Sequence, residues 1–264
     1  MHQRCNSRLH SNQFMFAEQF MTAGQFMAKP IHFEFKESNM KKFNILILLL
    51  VIFAIMTVLV SCAGEQGTDG LEYYELPDGN FAVGVGAAKY LEKIVIPSKY
   101  SGKSVTEIDV DGFKDSINLK EIVIPNSVTS IGSSAFSGCT SITKIEIPNR
   151  ITRIDNEVFY NCTNLIEIVI PNSVTSIGDS AFSGCTSLAE IELPNGITRI
   201  YNKVFYNCKN LTEIVIPNGV MSIGNDAFYE CFNLKIYCEA KSRPKGWELS
   251  WSGYSASVVW GYKK

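Results

Sequence analysis

The sequence predicts a solenoid of stacked coils built mainly from β structure, and three observations predict it. A 23-residue unit, roughly V-T-x-I-x-x-x-A-F-x-x-C-x-x-L-x-x-I-x-I-P-N-x, begins at Val105, Val128, Ile151, Val174, Ile197 and Val220. Its apolar positions fall in columns that persist from unit to unit. Each regular unit also carries an I-x-I or I-x-L pair followed by proline, the period-2 mark of a short half-buried strand. A fixed period of about 20 to 29 residues is what stacked coils produce, because one coil cannot bury its own apolar side.

Two columns have no exception: Ile108, Ile131, Ile154, Ile177, Ile200 and Ile223, and Phe113, Phe136, Phe159, Phe182, Phe205 and Phe228. The alternating pairs Ile122/Ile124, Ile145/Ile147, Ile168/Ile170, Ile191/Leu193 and Ile214/Ile216 predict one short strand per coil. Proline closes each at Pro125, Pro148, Pro171, Pro194 and Pro217, removing a backbone donor where the chain must turn. An earlier strand, Leu91 to Pro97, has the same string and is followed by an insertion, Ser98 to Ser104. Parallel strands about 4.8 Å apart then make a sheet of seven, roughly 30 Å long.

From Leu91 to the C-terminus, the recurring I-x-I-P and A-F-x-x-C strings resemble the BspA-like class of leucine-rich repeat proteins. The resemblance implies a leucine-rich repeat solenoid over residues 91–240. It also implies attachment to host or matrix proteins and bacterial co-aggregation. The last unit departs at Leu234 to Cys238, where it is one residue shorter between its Leu and the strand and lacks its proline, as a terminal coil adapting to a cap would be. A longer period is superimposed. Units from Val128 and Val174 share S-A-F-S-G-C-T-S, whereas those from Ile151 and Ile197 share V-F-Y-N-C. This 46-residue alternation reads either as recent duplication or as a two-coil binding epitope.

Upstream, Met40-Lys41-Lys42, a sixteen-residue run from Ile45 to Val60 and Leu59-Val60-Ser61-Cys62 have the zones of an export signal over residues 40–61. The run is shorter than the roughly 20 residues that span a bilayer. L-V-S-C resembles a bacterial lipobox, which implies lipidation of Cys62 and, with Ala63 and Gly64 following, the outer membrane. A retained signal-anchor helix is the alternative. Residues 1–39 are read as a non-native upstream extension or disordered segment, with a long n-region as the alternative. Residues 62–70 are small and polar, as a tether. In residues 71–90, Pro77-Asp78-Gly79 between two strand-like runs predicts a hairpin capping the N-terminal edge.

Of 24 Lys/Arg and 26 Asp/Glu, six and three lie in residues 1–61, leaving 18 and 23 and a net charge of −5. That balance, with no basic cluster, argues against nucleic acid. All three histidines lie before residue 40, which removes Ser-His-Asp and Cys-His catalysis from the exported part. A hydrolase using paired carboxylates is the least favoured class, because the acidic residues sit in repeating positions. No catalytic residue, cofactor or metal site is expected.

Cys139, Cys162, Cys185, Cys208 and Cys231 recur at one position, with Ser116 in the first unit's slot. They read as an inward ladder of small groups. A Cys231–Cys238 disulfide and metal binding are the alternatives.

Residues between the buried strand positions must face the other side of the sheet. They form two columns, Glu121, Lys144, Glu167, Glu190 and Glu213, and Val123, Glu146, Val169, Glu192 and Val215. This face reads as a wet acidic surface, as a docking wall for a protein with basic residues, or as a divalent-cation bridge. The segment 241–264 holds all three tryptophans, Trp247, Trp251 and Trp260. It is expected to form an aromatic C-terminal cap, with sugar stacking on the indoles as the rival.

The combined expectation is a lipid-anchored envelope or surface protein that binds another protein, either host matrix or another bacterial surface protein. An envelope structural protein holding glycan or peptidoglycan through the tail is the alternative.

Overall fold

A computed structural model describes residues 67–254 and 256–263. Cys62, the export signal and residues 1–39 lie outside the described residues. The described elements belong to one compact unit, Ala63–Lys264.

The chain opens with an antiparallel hairpin, β1 (Glu72–Glu75) and β2 (Phe81–Gly84), followed by a 3-10 turn at Gly86–Tyr90 and strand β3 (Lys93–Val95). The insertion folds as β4 (Lys99–Tyr100) antiparallel to the start of β5 (Lys103–Ile108). From there the coils alternate two kinds of short strand. Those on the I-x-I strings are β6 (Glu121–Val123), β8 (Lys144–Glu146), β10 (Glu167–Val169), β13 (Glu213–Ile216) and β15 (Lys235–Cys238). Those on the V-T-x-I strings are β7 (Ser130–Ile131), β9 (Arg153–Ile154), β11 (Ser176–Ile177), β12 (Arg199–Ile200) and β14 (Ser222–Ile223). The last strand, β16 (Ser257–Trp260), lies parallel to β15.

The I-x-I strands pair in register one coil apart, Ile94 with Ile122, Ile145 with Ile168 and Ile214 with Ile236. The ladder is segmented into β3–β6, β8–β10 and β13–β15–β16 rather than continuous over seven strands. Proline ends each regular strand after three or four residues, so each ladder carries few bonds. In the coil from Val174 only a single bridge forms, Glu190 opposite Glu213.

The V-T-x-I strands were not anticipated. They pair in parallel as β9–β11–β12–β14, with β5–β7 at the N-terminal side. Val128 and Ile131 point inward with two outward residues between them, so no period-2 alternation betrays the strand.

The third part of each coil is a tight turn carrying A-F-x-x-C, and here backbone bonds run between coils. Phe113 N–H donates to Ala135 O, Phe136 to Val158, Phe159 to Ala181, Phe182 to Val204 and Phe205 to Ala227, at 2.7–2.9 Å. Two residues per coil, four apart, take positive φ: 111 and 115, 134 and 138, 157 and 161, and so on to 226 and 230. From 111 to 207 each turns its N–H to a carbonyl of the next coil, as Glu157 N–H does to Asp179 O and Asn161 N–H to Ser183 O. At the start of the same turn, the side chains of Asn156, Asp179 and Asn202 each accept the backbone N–H of the residue 23 positions on.

The interior is one continuous core. The six phenylalanines are buried and stack with centroids 5.3–5.7 Å apart and planes within 13°. The hairpin extends the V-T-x-I ladder directly, since β2 pairs in parallel with β5 through a register shift between Phe81 and Ala82. Tyr100 from the insertion stacks on Tyr73 at 3.8 Å and meets Phe81 edge-on at 5.2 Å, fastening the insertion to the cap. At the far end Trp251 meets Phe228 edge-on at 6.0 Å, and Trp247 donates its indole N–H to Val220 O at 3.1 Å.

Candidate functional site

The two outward columns lie where strand alternation puts them. Their inward neighbours Ile122, Ile145, Ile168, Ile191 and Ile214 are all buried, while Glu121, Lys144, Glu146, Glu167, Glu190, Glu192 and Glu213 are exposed. Among the valines, Val169 is half exposed and Val123 38 % exposed, whereas Val215 is more covered.

The face is less uniformly acidic than its glutamates suggest, because Lys93, Lys144 and Lys235 place cations beside them. Lys93, ahead of the regular repeats, pairs with Glu121 at 2.7 Å, and Lys144 pairs with Glu167 at 2.8 Å. Lys235 lies 4.9 Å from the Tyr237 ring centroid, and a hydrogen bond to Tyr237 raises its ammonium above the ordinary value. Tyr237 in turn reaches Glu213 at 3.5 Å. Glu190, Glu192 and Glu213 bring three carboxylates together on the middle coils, with Glu190 opposite Glu213.

That stretch forms a groove of about 680 Å³ lined by Glu167, Val169, Glu190, Glu192, Glu213 and Val215. The other four residues expected on this face, Glu121, Val123, Lys144 and Glu146, lie on earlier coils outside the groove lining. Asn172, Asn195 and Glu239 also line it and were missed. The asparagines belong to the P-N of each unit that closes with proline, so their column was visible in the repeat. Glu239 is not repeated; it reaches the site because its carboxylate accepts the Asn218 N–H at 2.9 Å.

The remaining candidates sort clearly. Cys139, Cys162, Cys185, Cys208, Cys231 and Cys238 are buried free thiols, so Cys231 and Cys238 do not form the disulfide that stood as an alternative. Five of them donate to the phenylalanine carbonyl one coil back, and burial pushes the Cys139, Cys231 and Cys238 thiols up to about 12. Among the described residues no three His, Cys, Asp or Glu side chains group as metal ligands do. Trp247 and Trp251 are buried, and Trp260 packs half-buried against the core. Sugar stacking on Trp247 or Trp251 thus has no exposed ring face to use, and the tail serves as a cap.

Residues 88–235 match, in six copies, the family described as BspA type leucine rich repeat region. The chain belongs to the BspA-type leucine-rich repeat family. Among solved structures, this BspA-type protein is similar to the T. pallidum leucine rich repeat protein TpLRR, at 27% identity and a TM-score of 0.61. That match covers 73% of this chain and 98% of the T. pallidum one. It is also similar to a leucine rich cell surface protein from Faecalibacterium prausnitzii, at 29% identity and a TM-score of 0.53, covering 67% of this chain and 55% of that one. No curated protein matches the chain. Among the described residues no helix is long and apolar enough to cross a membrane. The resemblance read from the I-x-I-P and A-F-x-x-C strings therefore holds, and with it a fold typical of interaction scaffolds.

Proposed function

We propose that this protein is a lipid-anchored cell-envelope scaffold, displayed at the outer membrane or cell surface, that binds a protein partner through the outward face of its I-x-I strands. The observation that carries this reading is the groove across the middle coils, where Glu190, Glu192 and Glu213 stand beside the half-exposed Val169 and the partly covered Val215. Such a surface suits a partner presenting Lys or Arg beside apolar side chains, with opposite charges steering encounter and the valines losing water on contact. The family and the F. prausnitzii relative, named a cell surface protein, support an exposed location. Anchoring rests on the lipobox-like L-V-S-C string at Cys62. The protein acts by binding rather than by catalysis, toward host matrix proteins or another bacterial surface protein.

The test is the double charge reversal Glu190→Lys/Glu213→Lys, with binding to candidate matrix proteins measured by surface plasmon resonance. Affinity falling at least tenfold, about 1.4 kcal/mol, supports the reading; unchanged affinity removes this face. Labelling intact cells with a membrane-impermeant reagent decides display, and a protein protected from label cannot act on a host surface. Cys62→Ala tests the anchor through release of the protein from the membrane fraction.

A further inference from the structure

Stacked parallel coils leave sheet edges at both ends, and an unpaired edge offers a row of free backbone donors and acceptors. Three of the four edges are occupied or guarded. At β3, Thr68 N–H donates to Val95 O at 2.9 Å while Val95 N–H donates to Thr68 Oγ1 at 2.7 Å. The outer hairpin strand β1 reads E-Y-Y-E and carries exposed carboxylates at Glu72 and Glu75, the usual guard against edge pairing. At β14, Ile223 bridges Trp247 and accepts the Glu248 N–H at 2.9 Å.

The fourth edge differs. Among the described residues β16 pairs only with β15. Ser257 N–H donates to Leu234 O at 3.0 Å, so strand alternation turns the backbone groups of Val258 and Trp260 away from β15. The strand reads S-V-V-W, and no charged residue occurs from Leu249 to Tyr262.

We propose that β16 is a self-association edge, with two copies pairing β16 to β16 antiparallel about a two-fold axis. The alternation requires the axis to pass through a residue. Placed at Val259, it sets Val258 opposite the second copy's Trp260 as a hydrogen-bonded pair, and Val259 opposite its own counterpart. A second copy fits because the contact is neutral throughout and sets no like charges opposite one another. Since the other edges are guarded, pairing cannot continue head to tail into a fibre and closes as a dimer.

The experiment is sedimentation velocity of the full chain in mild detergent, over about 1 to 100 µM. Val258→Pro deletes an outward N–H without touching the β15 ladder. Val259→Lys sets two ammonium groups against each other at the axis. Wild-type protein is expected to dimerise, and both variants to self-associate at least tenfold more weakly with unchanged circular dichroism. A wild-type monomer throughout the range overturns the proposal, as does a dimer equally tight in the variants. If the proline variant loses its fold, the lysine variant decides, because Val259 is 37% exposed and its side chain is not part of the core.

Discussion

Cys185 donates its thiol proton to the carbonyl oxygen of Phe159, one coil earlier, at 3.1 Å. The same bond recurs along the ladder at 3.0–3.2 Å, so each thiol supplies a partner to a backbone carbonyl in the interior. A thiolate cannot make that bond, and burial disfavours it further.

Stability should therefore fall in alkali. Cys139 and Cys231 are pushed from 9.0 to about 12 in the folded chain. Above pH 9 the unfolded chain sheds thiol protons that the folded chain keeps, so this contribution is whole below pH 9 and lost as pH rises through about 12. Urea midpoints should drop between pH 9 and 11, and the ladder thiols should ignore Ellman's reagent at neutral pH until the chain unfolds. Rapid labelling of native protein would contradict this.

Cys185→Ser should be tolerated better than Cys185→Val. Serine keeps a donor for the Phe159 carbonyl, whereas valine strands that carbonyl at a cost of about 1–3 kcal/mol. Chemical denaturation of the two variants measures the difference.

Phe182→Ala should be more damaging than either cysteine substitution. Phe182 is fully buried and sits between Phe159 and Phe205 at 5.3 and 5.5 Å. Its truncation leaves a cavity in the middle of the stack and should cost about 3–5 kcal/mol, read as a shift in the denaturant midpoint.

Gly184→Ala should destabilise by more than the ordinary cost of a left-handed alanine, which is about 1–2 kcal/mol. Gly184 has φ of +77°, and a Cβ there would run into Asn161 Oδ1 of the preceding coil. Thermal melting should show the loss, and an unchanged melt would argue against this turn geometry.

Lys144→Ala should leave stability nearly unchanged, within about 1 kcal/mol, because its pair with Glu167 is more than half exposed on both sides. It should instead alter binding at the sheet face, since it frees a carboxylate at the groove margin. A large stability loss would show that the pair does more than tune charge.

The left-handed turn positions show where reading the sequence stops. Gly138, Gly184, Asn161 and Asn207 have residue types that favour positive φ, so half the pattern was visible. Glu157 and Lys203 do not favour it, yet they adopt φ of 57° and 54° because their N–H groups must reach Asp179 O and Asn225 O on the next coil. The groove is similar. Its carboxylate columns follow from the repeat, but Lys93, Tyr237 and Glu239, which shape the charge around it, come from irregular segments whose placement depends on how the end coils dock.

Repetition in the chain was enough to establish that the coils stack, which residues point inward, and that the leftover strand positions form one outward face. These follow from a fixed period, since equal side chains at equal intervals bury one another only when the coils are superposed. Packing in three dimensions settled the rest: each coil has a second strand, and a groove lined by Glu190, Glu192 and Glu213 forms across the middle coils. It also buried two of the three tail indoles and, among the described residues, left the outer edge of β16 unpaired. Those outcomes depend on contacts between coils and caps that share no repeat, so no periodicity in the chain could announce them.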